Sequence, residues 1–141
     1  MSNFNIVILP GDGTGREVSL EAIRILETIQ EHTDYSFDLK VIPCGGQHYL
    51  ETGEEWPKGS FEYCRDEAHA IFLGAIGHPD AILPNGDLAG GSVILGLRSG
   101  LDLFANVRPI KLYEGIRHKV HGEFQQVWQP GMVDMVVLRE N

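Results

Sequence analysis

The chain opens with a short continuous apolar run, NIVIL, at residues 5–9. A run of this length with β-branched side chains is typical of a strand that is buried on both faces. Pro10 ends the run, and residues 11–15 (GDGTG) form a glycine-dense turn. After the turn, apolar positions recur at helical spacing, at Val18, Ala22, Ile25 and Ile29. A strand, a glycine turn and an amphipathic helix predict the opening of a βαβ unit.

The remaining pattern predicts four more strands, over residues 35–42, 70–73, 103–107 and 132–138. Two helices are predicted over residues 60–67 and 93–100, the second with Ser92 as its N-cap. Strands that alternate with helices indicate a parallel α/β sheet, whose ligands gather outside the carboxyl ends of the strands. The glycine turn, the stretch after Gly74 and the region leading to Arg98 should therefore lie on one side of the sheet.

Length and charge narrow the function classes. A chain of 141 residues is long enough for one domain with a sizeable core. The formal charge of −9 argues against a nucleic-acid partner, because a phosphate backbone needs a basic surface. The N-terminus has no positive region followed by a long apolar segment, and no apolar run reaches the length of a membrane helix. We therefore expect a soluble, cytoplasmic protein with no membrane partner.

The cysteines and histidines do not predict a metal site. Cys44 and Cys64 lie 20 residues apart without CxxC spacing, which favours reduced structural thiols over a disulfide or a zinc site. His118 and His121 are close together, but they fall in a charged, turn-like segment. A solvated loop is therefore the favoured interpretation of that pair.

Three arginines stand in apolar sequence. Arg98 and Arg108 lie ten residues apart within SVILGLRSGLDLFANVRP, residues 92–109, and Arg139 follows another apolar run. A guanidinium group offers a planar fork of donors that matches a carboxylate. An unpaired charge is costly to bury, so either a ligand or an ion pair, with a neighbour such as Asp102, must explain these residues. If the fold brings the three together, they form a pocket for a small polycarboxylate.

The turn GDGTGRE has two competing interpretations. Its glycines permit positive φ angles and close packing, which is the purely structural interpretation. Alternatively, its backbone amides at a helix start face an anion. A standard Rossmann cofactor site is disfavoured, because the spacing is G-x-G-x-G and no suitably placed acidic residue ends the second strand.

Four motifs together resemble a known family. GDGTGRE, GAIG after a strand, LRSGLDLFANVRP and the final VVLREN are similar in order and spacing to the β-decarboxylating dehydrogenases, which act on isopropylmalate, isocitrate, homoisocitrate, tartrate or malate. The resemblance covers the whole chain and is closest to the isopropylmalate enzymes or the tartrate-like branch. Tartrate, malate, isocitrate and homoisocitrate are therefore the alternative substrates. It implies a non-Rossmann α/β fold. It also implies that Arg98, Arg108 and Arg139 bind the carboxylates of a small-molecule 2-hydroxy diacid.

The same resemblance implies a cofactor side and a selectivity helix. The positions of Thr14, Ile76, Gly77 and His78 lie near the nicotinamide of NAD in the family, and NADP is the alternative. Arg16 replaces the proline that is usual in the glycine motif.

The helix before Arg98 distinguishes the family's substrates. Isocitrate enzymes carry a serine and an asparagine at the positions of Ser92 and Ile94, whereas isopropylmalate enzymes carry leucines at those of Ile94 and Leu95. The apolar pair here favours an alkyl substituent, because a carboxylate facing it would lack a partner. Because Ser92 matches the serine of the isocitrate enzymes, isocitrate stays an alternative substrate.

The resemblance further implies that this chain is the N-terminal part of a longer enzyme. Residues 1–101 correspond to part of the large cofactor and substrate domain, and residues 102–141 to the start of a second, dimerisation domain. The catalytic groups and the ligands of Mg²⁺ or Mn²⁺ are expected beyond Asn141, so no catalytic or metal residue is assigned. We expect the 141 residues alone to be inactive and to expose apolar faces, and the complete enzyme to be a homodimer. A non-catalytic carboxylate-binding or regulatory subunit and an inactive truncation are the alternatives.

Overall fold

The structure is a computed structural model that describes residues 2–140. The chain divides into two compact units, with the boundary between Leu101 and Asp102.

The first unit alternates strands and helices in seven elements: β1 (Ser2–Leu9), α1 (Thr14–His32), β2 (Tyr35–Val41), α2 (Gly46–Thr52), α3 (Ser60–Asp66), β3 (Ala70–Leu73) and α4 (Gly91–Gly100). The predicted strands and helices of this part are all present. The polar stretch before residue 53 was not predicted to be regular, yet it contains α2.

The first sheet is parallel and has the strand order β2-β1-β3. Ile8 pairs with Val41 of β2, and Leu9 pairs with Leu73 of β3. The central place of β1 explains its continuous apolar run, since a central strand with helices on the faces of the sheet is buried on both sides. The predicted parallel α/β sheet is therefore confirmed.

Both faces of β1 are buried. Val7 and Leu9 share one face and join a buried cluster that also contains Ile42, Cys44, Cys64, Val93 and Leu97. Ile8 points to the opposite face, because side chains alternate along a strand, and it is fully buried as well. The two cysteines are free thiols within the cluster, as predicted, and burial raises the pKa of Cys44 to about 11.

Helix α1 differs from its expected orientation. Its buried residues are Gly15 and Ser19, whereas Val18 and Ile25 on the predicted apolar face are about three-fifths exposed. Small side chains allow the helix to lie close to its neighbours, and the Ser19 hydroxyl donates to the Gly15 carbonyl at 2.6 Å within the same helix. The helix therefore packs through a small-residue stripe, and its larger aliphatic residues lie beside that stripe.

The second unit contains two antiparallel strand pairs, formed by β4 (Ala105–Lys111), β5 (His118–Val120), β6 (Glu123–Gln125) and β7 (Asp134–Glu140). β4 pairs with β7, and β5 pairs with β6. The β5–β6 hairpin occupies the segment that was expected to be a solvated loop, so that expectation was wrong for its backbone. Apolar side chains on both long strands are exposed, Leu138 by 71% and Val136 by 60%. These exposed faces agree with the expectation from sequence.

No helix among residues 2–140 combines the length and the apolar character that a membrane span requires.

Candidate functional site

The loops that follow the three parallel strands meet at one edge of the sheet. The Asp12 amide in the loop after β1 donates to the Ala75 carbonyl in the loop after β3, at 2.7 Å. A Cβ atom added to Gly90, just before α4, would lie 2.1 Å from the Ile76 side chain. The glycine turn, the stretch after Gly74 and the start of α4 are thus brought together, as the parallel topology predicted.

Asp12 joins these loops through its carboxylate. The side chain is 3% exposed and accepts three backbone N–H groups, from Gly46 and Gln47 at 2.8 Å and from Gly77 at 2.9 Å. Burial by itself raises the pKa of Asp12, but the hydrogen bonds from Gln47, Gly77 and Gly46 outweigh burial and hold the pKa below its usual value. Asp12 therefore remains an anion that ties the start of α2 to the loop after β3.

Glycines permit the close approach of these loops. A Cβ atom at Gly74 would lie 2.1 Å from the Pro10 carbonyl oxygen, and one at Gly11 would lie 2.1 Å from the Ala75 carbonyl oxygen. Both obstacles are backbone atoms, which cannot move aside as a flexible side chain could. This packing supports the structural interpretation of the glycine turn.

Replacing Gly74 with alanine should destabilise the first unit by more than about 2 kcal/mol, because overpacking against the backbone forces the strand ends apart. Gly96→Ala is the control, since a Cβ atom there meets no other atom within 4 Å and alanine favours a helix. Urea unfolding followed by circular dichroism would compare the two variants. Equal stabilities for Gly74→Ala and wild type would show that the loops are not so tightly packed.

The predicted cofactor side lies in two of the joined loops. Thr14 is exposed at the first position of α1, and Gly77 is exposed immediately after the half-buried Ile76. His78 is half-buried and packs beside Gly46, where an added Cβ atom would lie 2.6 Å from the His78 Cβ. The space beside Gly13 and Gly77 is open, since an added Cβ atom at either position meets nothing within 4 Å.

Helix α4 presents one buried and one exposed face. Val93 and Leu97, four residues apart, are buried in the core cluster. Ile94 is half-buried, whereas Leu95 and Arg98 are exposed. Residues three and four apart are neighbours on a helix surface, so Arg98 lies beside both Ile94 and Leu95. The helix therefore places a cation next to an aliphatic surface.

Ser92 is not the N-cap of this helix. That position belongs to Gly90, whose φ angle is 104°, and Ser92 lies within the first turn. Its hydroxyl donates to the carboxylate of Glu55, a residue that the sequence interpretation did not include. The N-cap needed a residue that tolerates positive φ, which glycine does and serine rarely does.

Arg108 and Arg139 lie on one face of the β4–β7 pair. Arg108 pairs with Val137, and Asn106 pairs with Arg139. Directly paired residues share a face, as do residues two apart on one strand, so the two arginines are diagonal neighbours. The Asn106 side-chain oxygen accepts the Nε–H of Arg108 at 3.2 Å. The sequence pattern does not single out Asn106, although its place two residues before Arg108 on a strand predicts a shared face.

The three arginines are exposed rather than buried. Their apolar neighbours were expected to bury them. Val107 beside Arg108 and Leu138 beside Arg139 are themselves exposed, by 58% and 71%. Among residues 2–140, the four ion pairs do not include Arg98, Arg108 or Arg139, so Asp102 is not an ion-pair partner. Their guanidinium groups are accessible to an anion from outside. Arg98 belongs to the first unit and the other two to the second, and their assembly into one pocket stays a prediction.

The described residues contain no group of three or more histidine, cysteine, aspartate or glutamate side chains that could hold a metal ion.

Comparison with known proteins decides the family. A family profile described as "Isocitrate/isopropylmalate dehydrogenase" matches residues 5–141. The chain belongs to the isocitrate/isopropylmalate dehydrogenase family. Its relatives include the 3-isopropylmalate dehydrogenase of Thermotoga maritima, 39% identical over 139 residues, and that of Desulfitobacterium hafniense, 36% identical over 136 residues. These matches cover 97% and 96% of this chain, but 38% of each relative.

A solved structure agrees with this family in sequence and fold. The apo form of a β-decarboxylating dehydrogenase from Thermococcus kodakarensis is similar, with a TM-score of 0.67 and 28% sequence identity. The match covers 98% of this chain and 34% of that protein. The family resemblance and the α/β fold drawn from the sequence are therefore confirmed. The chain spans little more than a third of the length of the proteins it matches.

Proposed function

We propose that this chain supplies the substrate-recognition part of an NAD- and metal-dependent dehydrogenase that oxidises and decarboxylates 3-isopropylmalate, a step of leucine biosynthesis. The observation that carries the proposal is the exposed face of α4, where Arg98 lies beside Ile94 and Leu95. The guanidinium of Arg98 can bind a carboxylate, which all the family's substrates carry. The aliphatic side chains can pack against the isopropyl group, which distinguishes 3-isopropylmalate from the other substrates. The names of the relatives support the same substrate.

We propose that each of the three arginines is a carboxylate-binding residue within its own unit. Arg98 presents its guanidinium on α4, and Arg108 and Arg139 are diagonal neighbours on the β4–β7 face. The bond from Arg108 Nε to Asn106 orients that guanidinium, and within residues 2–140 no acceptor occupies its two terminal nitrogens. Those nitrogens can therefore form a bidentate contact with a carboxylate.

The cofactor side of the proposal rests on the joined loops. Thr14, Ile76, Gly77 and His78 would border the nicotinamide end of NAD, and NADP is the alternative cofactor. The open space beside Gly13 and Gly77 leaves this part of the loops accessible to a ligand. When bound, the cofactor would accept the hydride removed from the substrate.

The proposed function also includes a metal ion, two domains and a homodimer. Mg²⁺ or Mn²⁺ would act on the substrate hydroxyl, but residues 2–140 offer no matching donor set. We assign residues 1–101 to the large cofactor and substrate domain and residues 102–141 to the start of a dimerisation domain. We further propose a cytoplasmic homodimer.

The experiment that tests this function is calorimetric titration of the chain with 3-isopropylmalate, malate and tartrate. We expect 3-isopropylmalate to bind at least about tenfold more tightly than the other two, because burying part of an isopropyl group contributes more than 1.4 kcal/mol. Leu95→Ala should reduce that preference and leave malate binding unchanged. Equal affinity for the three diacids, or binding of none, would contradict the proposal.

A further inference from the structure

The carboxylate of Glu55 binds the N-terminus of α4, the helix that is proposed to select the substrate. Its carboxylate accepts the Gly90 amide, the Ser92 hydroxyl and, at 3.4 Å, the Ser92 amide. Glu55 lies 37 residues before Ser92 in the chain. The first turn of α4 has no acidic residue of its own. The negative charge at this end of the helix is therefore supplied from the loop between α2 and α3.

The surrounding structure fixes the position of Glu55. Its backbone carbonyl accepts the Gly45 amide at 2.8 Å, and the next residue, Trp56, packs against the buried core cluster. On the other side, Gly90 lies against Ile76, where an added Cβ atom would lie 2.1 Å from the Ile76 side chain. The carboxylate is thus held between the core and the start of α4, and a helix N-terminus favours a negative charge there.

This arrangement changes what Ser92 can do. A serine hydroxyl has one proton to donate, and that of Ser92 goes to Glu55. The hydroxyl cannot donate to a substrate carboxylate at the same time. A carboxylate brought to Ser92 would also face the negative charge of Glu55, and like charges placed together disfavour binding.

We infer that Glu55 is a specificity-determining residue that excludes substrates with a negatively charged third substituent. This inference rests on the proposed function and deepens it: the substrate class becomes 2-hydroxy diacids whose third substituent is uncharged. Ile94 and Leu95 disfavour a third carboxylate because they offer it no hydrogen bond. Glu55 repels a third carboxylate by its charge at Ser92, where the serine hydroxyl could otherwise donate a hydrogen bond to that carboxylate.

Charge removal separates these two effects. In Glu55→Gln the size of the side chain is kept and the charge is lost, whereas the aliphatic pair is unchanged. The control is Glu54→Gln, which makes the same change at the adjacent residue, where the carboxylate lies 3.7 Å from Lys58 Nζ. Calorimetry on the full chain would give the ratio of the isocitrate and 3-isopropylmalate dissociation constants for wild type and both variants.

We expect the ratio to fall at least about tenfold in Glu55→Gln and to stay at the wild-type value in Glu54→Gln, since each 1.4 kcal/mol of repulsion corresponds to a factor of ten. Glu55→Asp, which restores the charge, should recover much of the discrimination. Raising the salt concentration should also reduce the ratio in wild type, because salt screens repulsion near the surface. This last measurement needs no variant to fold.

Two outcomes of this experiment distinguish a failure of the role of Glu55 from a failure of the proposed function. If 3-isopropylmalate binds and the ratio changes neither in Glu55→Gln nor with salt, the role of Glu55 is overturned and the proposed function stands. If wild type binds neither compound, the proposed function falls and the inference falls with it.

Discussion

Replacing Arg108 with alanine is expected to lower kcat/KM for 3-isopropylmalate about 100-fold in the complete enzyme. Under the proposed function, the variant would lose a charge-assisted, bidentate contact to a substrate carboxylate, which is typically worth a few kcal/mol. Asn106 holds Arg108 in place through Nε, so the remaining nitrogens are preorganised for this contact. The dissociation constant measured on the 141-residue chain should rise by a similar factor.

Arg117→Ala provides the matched control for this experiment. Arg117 is an exposed arginine of the same unit, and it precedes β5 rather than lying on the β4–β7 face. Its removal makes the same change in net charge and should leave both kcat/KM and binding within twofold of wild type, as expected for an exposed charge that salt screens. If the two variants behave alike, Arg108 acts only through the overall charge of the chain.

The second large effect concerns stability. Asp12→Ala should lower the free energy of unfolding by about 3 kcal/mol or more, because three backbone N–H groups around the buried carboxylate lose their acceptor and each costs about 1–3 kcal/mol. Asp80→Ala is the control, since Asp80 is exposed in the loop after His78. Urea unfolding of both variants would measure the difference. A loss below 1 kcal/mol for Asp12→Ala would contradict the assigned role.

The pH dependence of stability follows from the same carboxylate. Because the pKa of Asp12 is lower in the folded chain than in the unfolded chain, its contribution is fully present above the unfolded value of about 4. It is lost as pH falls through the lower, folded value. Wild type should therefore lose more stability below pH 4 than Asp12→Asn does. If the free energy of unfolding falls by the same amount below pH 4 in both proteins, the assignment is contradicted.

The parallel sheet was predictable because its signal is local. The apolar run of β1, the alternation in β2 and the short run of β3 each lie within one segment, and parallel topology then places their following loops together. Helix α2 was not predicted, because its polar sequence has no apolar period. Its start is fixed instead by Asp12, which lies 34 residues away from Gly46 and binds its amide.

The candidate site was predictable in its residue types and less so in its surroundings. The family motif located the arginines and the α4 residues, and the β4–β7 register places Arg108 and Arg139 on one face. The expected burial of the arginines was wrong, because all three are exposed, and Val107 and Leu138 beside Arg108 and Arg139 are exposed as well. Glu55 could not be found from sequence, since nothing within the loop between α2 and α3 indicates that its carboxylate reaches Ser92.

The central proposal is that the exposed face of α4 binds a 2-hydroxy diacid. Titration of 3-isopropylmalate into the isotopically labelled chain, followed by two-dimensional NMR of its amides, tests this most directly. The predicted result is saturable shifts at Ile94, Leu95 and Arg98. No saturable shifts, or saturable shifts found only elsewhere in the chain, would contradict the proposal.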